Sequence, residues 1–210
     1  MYRILIADDH PIVRSGLKQI LQEARFVRSI EEASTGGEAL EKAKTGKFDI
    51  VLLDISMPGM NGLEVLEELK KLKFNIRVLM LSIYPEEDYA VRALKAGASG
   101  YLTKKSAPDE LLTAIKKLSR GDRYISPSLA EYLASHLADD TKKPLHEGLS
   151  NREFQVMRMI ASGKSLKEIA GEINLSPKTV STFRTRILQK MDFKNNADLI
   201  QYAMKNGLTE

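Results

Sequence analysis

Along residues 1–120, short apolar runs alternate with amphipathic stretches, and this alternation limits the fold more than any other feature of the 210-residue chain. The runs lie at 3–7, 27–33, 50–53, 76–82 and 100–102. Helical patterns fill the gaps at 12–23, 37–44, 63–72, 86–96 and 108–119. In the last of these, Leu111, Leu112, Ile115 and Leu118 recur at three- and four-residue steps, which places them on one helix face. Gly97 supplies a stop for the helix before it. Five strands alternating with five helices predict an α/β doubly wound parallel five-stranded sheet, because parallel neighbours need a crossover helix. The first, third and fourth runs are almost unbroken apolar sequence, as strands covered on both faces must be.

The pattern changes after residue 120. Residues 121–148 include the polar stretch ADDTKKPLHEG and read as a linker, with one short helix near 128–137. Residues 149–210 are helical in pattern throughout. Ser150 stands three before Glu153, and Ser165 three before Glu168, so two helices open on capping boxes. Ser176-Pro177 opens a third, with proline where its missing N–H costs nothing. Asn195 or Asn196 caps a last helix that stops at Gly207. The expected division is therefore 1–120, a linker at 121–148, and a small all-α domain at 149–210.

In an open parallel sheet, ligands bind beyond the carboxyl ends of the strands. With strand order 2-1-3-4-5, Asp8 and Asp9 end strand one and Asp54 ends its neighbour, strand three. Ser82 ends strand four and Lys104 follows strand five. Each residue alone has an ordinary reading: an aspartate after a strand is usually a turn or cap residue, and a lysine there is usually solvated. The Asp8-Asp9-His10-Pro11 stretch could cap a helix, and a single imidazole at His10 does not make a metal site. Five such groups at one end of adjacent strands are different. Three carboxylates in one crevice repel unless a cation cancels them, and Mg²⁺ accepts carboxylate oxygens while leaving positions for phosphate. Asp54 is then a candidate nucleophile toward phosphorus, and Lys104 a counter-charge for the phosphoryl group.

The third segment carries the positive charge. Residues 149–210 hold 10 Lys and Arg against 6 Asp and Glu. Five of these cations fall between Lys178 and Lys194, with Asp192 as the single acid. The stretch 165–173, a turn at Asn174-Leu175, and 176–191 read as helix-turn-helix. On its second helix Val180, Ile187 and Met191 form the packing face. Lys178, Ser181, Thr182, Thr185, Arg186 and Gln189 lie opposite, small at the N-terminal half and cationic at the edges. A helix enters the major groove only with such a face free of bulk. Lys178, Arg186 and Lys190 suit phosphates, while Ser181, Thr182 and Thr185 suit base edges. The plainer alternative is a helical bundle with a solvated basic face.

The residues also carry a family likeness. LIADDHPIVRSGL, VLLDISMPGMNGLEVL, LMLSIY and GASGYLTK resemble the motifs of bacterial response-regulator receiver domains. Residues 149–208 resemble LuxR-type DNA-binding domains, through Leu149, Glu153, Gly163, Ile169-Ala170, Leu175-Ser176, Lys178-Thr179-Val180, Lys190 and Leu199. Together they resemble the NarL/FixJ class of two-component response regulators. The resemblance implies Asp54 as phosphoacceptor, with Mg²⁺ held by Asp9 and Asp54, by Asp8 largely through water, and by the Ser56 backbone carbonyl. It implies Ser82 and Tyr101 as a switch pair, with Tyr101 turning inward on phosphorylation, and Lys104 as the phosphoryl contact. The DNA-contact set becomes Lys178, Thr179, Ser181, Thr182, Thr185, Arg186 and Lys190. The implied partners are a sensor histidine kinase, double-stranded DNA, and a second copy when phosphorylated or DNA-bound, the last helix making the dimer contact. Two departures stand out: Lys105 where many receivers have proline, and Phe183 where histidine is common.

Other classes fit less well. Without cysteine there is no disulfide framework or thiolate site. No apolar run approaches the ~20 residues of a membrane helix, so the expectation is a cytoplasmic protein without a membrane partner. The expectation is also no enzyme beyond self-phosphorylation and self-dephosphorylation. The competing enzyme reading is an aspartate-nucleophile phosphatase, whose second acid commonly stands two residues after a nucleophile on the first strand. Here Asp8 and Asp9 are adjacent and the nucleophile ends strand three.

Overall fold

The computed structural model describes residues 1–72, 75–138 and 144–209, with the backbone alone at 87, 88 and 135–138. They form two compact units, Met1–Ala138 and Asp139–Glu210.

The first unit alternates strand and helix: β1 Tyr2–Ala7, α1 Pro11–Gln22, β2 Val27–Ala33, α2 Gly36–Thr45, β3 Ile50–Asp54, α3 Gly62–Lys71, β4 Arg77–Ser82, α4 Glu86–Lys95, β5 Gly100–Thr103 and α5 Ala107–Ser119. All strand pairs are parallel, in the order β2-β1-β3-β4-β5. Alternation along the strands explains the unbroken apolar runs. Ile4, Ile6, Ile50, Leu52, Leu79, Leu81 and Leu102 share one core with Leu17 and Leu21 of α1 and Leu111, Ile115 and Leu118 of α5. Their neighbours Leu5, Val51, Leu53, Val78, Met80 and Tyr101 are also fully buried, and strand geometry sends them to the opposite face. β2 is an edge strand and mostly part-exposed, which is why it tolerates Glu31 and Glu32.

The turn after β3 is fixed by close backbone approach. A Cβ on Gly62 would lie 2.0 Å from the Asp54 carbonyl oxygen, and one on Gly36 would lie 2.1 Å from that of Met60. Only glycine lets α3 begin against the strand end. Asn61 then caps α3 in a capping box with Glu64, a third such box and one the sequence reading passed over.

Beyond α5 the chain does not leave the first unit. Tyr124 bridges Gly100 at the edge of β5, and α6, Pro127–Ala138, packs on α4. Of the stretch expected to be linker, residues 139–143 lie outside the described residues. Leu145–Gly148 form a 3-10 turn belonging to the second unit.

That unit holds α7 Asn151–Ala161, α8 Leu166–Glu172, α9 Pro177–Met191 and α10 Asn196–Lys205. Both expected capping boxes are present, at Ser150/Glu153 and Ser165/Glu168. Each cap contributes about 1 kcal/mol. Asn174 takes φ 56° in the turn between α8 and α9, and Asp192 closes α9 at φ 55°. Asn195 caps α10 by accepting from the Ala197 and Asp198 N–H groups. Among the described residues, no helix is long and apolar enough to cross a membrane.

Candidate phosphoryl site and nucleic-acid face

The register of the sheet gathers the acidic residues. Ala7 pairs with Leu53 and Asp54 with Leu81, so Asp8 and Asp54 emerge side by side where β1 and β3 end. Both are buried, at 0% and 1% exposure. Lys104 follows β5, where Ser82 pairs with Thr103, and its N–H donates to the Ser82 carbonyl at 2.7 Å. Its ammonium reaches across to Asp8 Oδ2 at 2.7 Å and Asp54 Oδ2 at 2.8 Å.

On the other side His10 Nδ1 lies 2.8 Å from Asp9 Oδ1 and 3.2 Å from Asp8 Oδ1. The helix-cap reading is corrected in detail. His10 is the cap residue of α1, its side chain makes no cap bond, and Asp8 rather than Asp9 accepts the His10 backbone N–H, at 2.8 Å. Arg14 adds a fixed point by donating to the Asp8 carbonyl at 2.7 Å.

Burial decides the electrostatics here. It pushes the Asp54 carboxyl up to about 6, the Asp8 charge adds to this, and Lys104 together with the Ser56 backbone N–H hold it back. Burial opposes the Lys104 ammonium too, but the two carboxylates outweigh it, so its pKa stands above the ordinary lysine value. The donors suit a hard divalent cation. Ligand atoms of Asp8, Asp9, His10 and Asp54 fall within 4.8 Å of one another. Asp8 Oδ2 and Asp9 Oδ1 are buried oxygens, each with one nitrogen beside it: Lys104 Nζ at 2.7 Å and His10 Nδ1 at 2.8 Å. Oxygen ligands with unused lone pairs match Mg²⁺.

The remaining pocket residues sit around this centre. The Ser56 Oγ is buried and has no hydrogen-bond partner among the described residues. Ser82 Oγ accepts the Tyr84 N–H at 2.9 Å. Tyr101 is already inward and fully buried, its hydroxyl donating to the carbonyls of Tyr84 at 3.2 Å and Pro85 at 3.4 Å.

In the second unit, the packing side of α9 is as expected: Val180, Ile187, Leu188 and Met191 are buried. Lys178, Thr179, Ser181, Thr182, Thr185, Arg186, Gln189 and Lys190 are all exposed. Hydrogen bonds and an ion pair constrain this helix further. Thr182 and Thr185 donate their hydroxyl protons to the carbonyls of Lys178 and Ser181, four residues back, at 3.0 and 3.1 Å. They therefore present methyl groups and oxygen lone pairs outward. Lys190 reaches Glu153 of α7 at 2.6 Å. Burial raises the Glu153 carboxyl, but Lys190 and Ser150 outweigh it and leave it below the usual range. Arg184, near the packed side, donates to Asn196 at 2.6 Å. Ser176 caps the helix by accepting from the Thr179 N–H at 3.1 Å, while Pro177 has no N–H to offer.

An acidic pocket with a bridging lysine at the carboxyl end of a 2-1-3-4-5 sheet, followed by a helix-turn-helix unit, defines a signalling class: a receiver-type input and a DNA-binding output. The comparisons agree. The response regulator receiver domain matches residues 4–116, and the LuxR family of bacterial regulatory proteins matches residues 147–203. The response regulator UvrY of Escherichia coli K12 is 35% identical, over 99% of this chain and 96% of its own. The response regulator GacA of Pseudomonas aeruginosa is 34% identical, over 100% and 99%. Among solved structures, RcsB of Salmonella enterica serovar Typhimurium, bound to promoter rprA with phosphomimetic BeF3−, superposes with a TM-score of 0.66. That match is 25% identical and covers 96% of this chain and 98% of that one. The chain belongs to the two-component response regulators of the NarL/FixJ class and is a phosphorylation-dependent, DNA-binding transcription regulator.

Proposed function

We propose that Asp54 is the residue phosphorylated, that Asp8, Asp9, Asp54 and the Ser56 carbonyl hold Mg²⁺, and that α9 reads DNA. The observation that carries this is the Lys104 ammonium, shared between Asp8 and Asp54 at the mouth of a buried, three-carboxylate crevice.

The donor is the phosphohistidine of a sensor histidine kinase, or a small acyl phosphate. An Asp54 oxygen forms the O–P bond as the bond from phosphorus to the donor's nitrogen or oxygen breaks, and the leaving group departs with that electron pair. Bound Mg²⁺ supplies charge neutralisation for the phosphoryl oxygens. Burial keeps Asp54 dry and fixed on β3, so little reorganisation precedes attack. Lys104 is placed to follow the new phosphoryl oxygens. Ser82 then exchanges its Tyr84 contact for one of those oxygens, biasing an existing two-state equilibrium in the loop between β4 and α4. Ser56, with a free buried hydroxyl beside the phosphoryl position, sets the access of hydrolytic water.

On the output side, Lys178, Arg186 and Lys190 meet phosphates, with Thr179 in the first turn, where the helix dipole favours anions. Ser181, Thr182 and Thr185 face base edges. RcsB dimers are described on DNA, and the same arrangement is proposed for this chain. Two copies on half-sites ~34–36 Å apart gain what one small module lacks. Catalysis is confined to its own phosphorylation and dephosphorylation. The division of labour assigns input to 1–120, output to 149–210, and coupling to 121–148.

The test is acetyl phosphate with Mg²⁺, read by intact mass. Wild type gains one phosphoryl group, and Asp54→Ala gains none. Full labelling of the variant sinks the assignment.

A further inference from the structure

The loop joining β4 to α4 touches both members of the switch pair, and its far end grips the segment that follows α5. Glu86, the first residue of α4, is a buried carboxylate. Its Oε2 accepts the Ser126 hydroxyl at 2.6 Å and the Ser128 hydroxyl at 2.8 Å. Ser126 Oγ in turn accepts the Leu129 N–H at 3.1 Å, so the group gripped by Glu86 is also the cap of α6. Leu129 is fully buried behind it. The other side of this segment is tied to β5 and α5. The Tyr124 N–H donates to the Ser99 carbonyl at 2.9 Å, and the Tyr124 hydroxyl donates to Glu110.

Only Pro85 separates Tyr84, the shared contact of Ser82 and Tyr101, from Glu86. A loop this short cannot rearrange at Tyr84 and leave Glu86 in place. Hydrogen bonds of 2.6–2.8 Å to one carboxylate oxygen weaken steeply with a displacement of about 1 Å. α6 ends at Ala138, and the second unit begins at the next residue.

We propose that Glu86 is a positioning residue that latches the start of α6 to the switch loop, and that phosphorylation releases this latch. The signal then leaves the first unit through α6 as a change in how firmly that helix is held. This rests on the phosphoacceptor reading of Asp54.

The test is hydrogen exchange on the full chain, read by mass spectrometry over residues 124–134, with and without acetyl phosphate and Mg²⁺. Intact mass follows Asp54 labelling in the same samples. In wild type, phosphorylation speeds exchange there by about tenfold, the weight of one hydrogen bond to a charged group. In Glu86→Ala, exchange is fast from the start and no longer responds, while Asp54 labels normally. Ser128→Ala removes one donor to Glu86 and the Ser128 contact to Ser126, leaves the Ser126 hydroxyl in place to cap α6, and falls between the two, which keeps the test usable if Glu86→Ala fails to fold. A merely structural contact would raise exchange in the variants yet leave the response to phosphodonor intact, and that result overturns the latch. Labelled wild type with unchanged exchange overturns it too. Absent labelling instead overturns the phosphoacceptor reading, and the latch with it.

Discussion

The acidic pocket and the exposed face of α9 are both polar, and they are built in opposite ways. The pocket takes Asp8, Asp54 and Lys104 from three strand ends far apart in sequence and buries them almost completely. The α9 face takes its residues from fewer than four helical turns and leaves them in water. A group that must do chemistry gains from low dielectric and fixed geometry, at a cost in stability. A face that must meet DNA gains from exposure, because its partner supplies the countercharge.

The largest effect should appear where burial gives one charge the most weight. Lys104→Ala should slow Asp54 labelling by acetyl phosphate by about 10². A rate within twofold of wild type would show that the shared ammonium serves only to balance charge at rest.

Next comes the cost of the pocket. A folded-state pKa for Asp54 raised from 3.8 to about 6 means that the buried charge destabilises the fold. The proton-bound form contributes fully below the unfolded value, and that contribution is lost as pH rises through the folded one. In metal-free buffer, Asp54→Asn and wild type should match near pH 4. The variant should lead by roughly 2–3 kcal/mol at pH 7.5. Urea unfolding across that window checks it, and a gap independent of pH would break the contrast between a strained pocket and a relaxed face.

For α9, Lys178→Ala and Arg186→Ala should each weaken DNA binding by about tenfold or less. Each should lower the slope of log K against log salt by about one. An unchanged slope removes that residue from the phosphate contacts.

Lys190 sharpens the comparison because it belongs to both regimes: half exposed on the DNA side, yet paired with buried Glu153. Lys190→Ala should cost about 1 kcal/mol of stability in the isolated chain, measured by thermal melting, whereas Lys178→Ala should cost none. Equal melting would make the Glu153 pair incidental.

How much of this was legible in sequence follows from the same contrast. Asp54 stood out because five apolar residues led up to and past it, and Ser150 and Ser165 because each had its glutamate three residues on. The α9 face was legible because a helix turns 100° per residue whatever surrounds it. Glu86 and Ser126 were not, because 40 residues separate them and neither type is unusual in place. The Glu153–Lys190 pair, 37 residues apart, was hidden for the same reason. Residues 121–138 looked like linker because their composition is mixed, whereas in the fold the β5 edge, α4 and α5 give them something to pack on.

Gly62 marks the boundary between the two kinds of information. As sequence it promised a turn. In the fold it is the one residue type that admits the Asp54 carbonyl at the start of α3. Sequence by itself determined the elements, their order and the chemical types available, because periodicity, caps and turns are local. Tertiary structure decided which charges share a proton's worth of space, which hydroxyl holds which carboxylate, and where α6 is anchored. Those depend on distances between distant strands and helices, which no local rule sets.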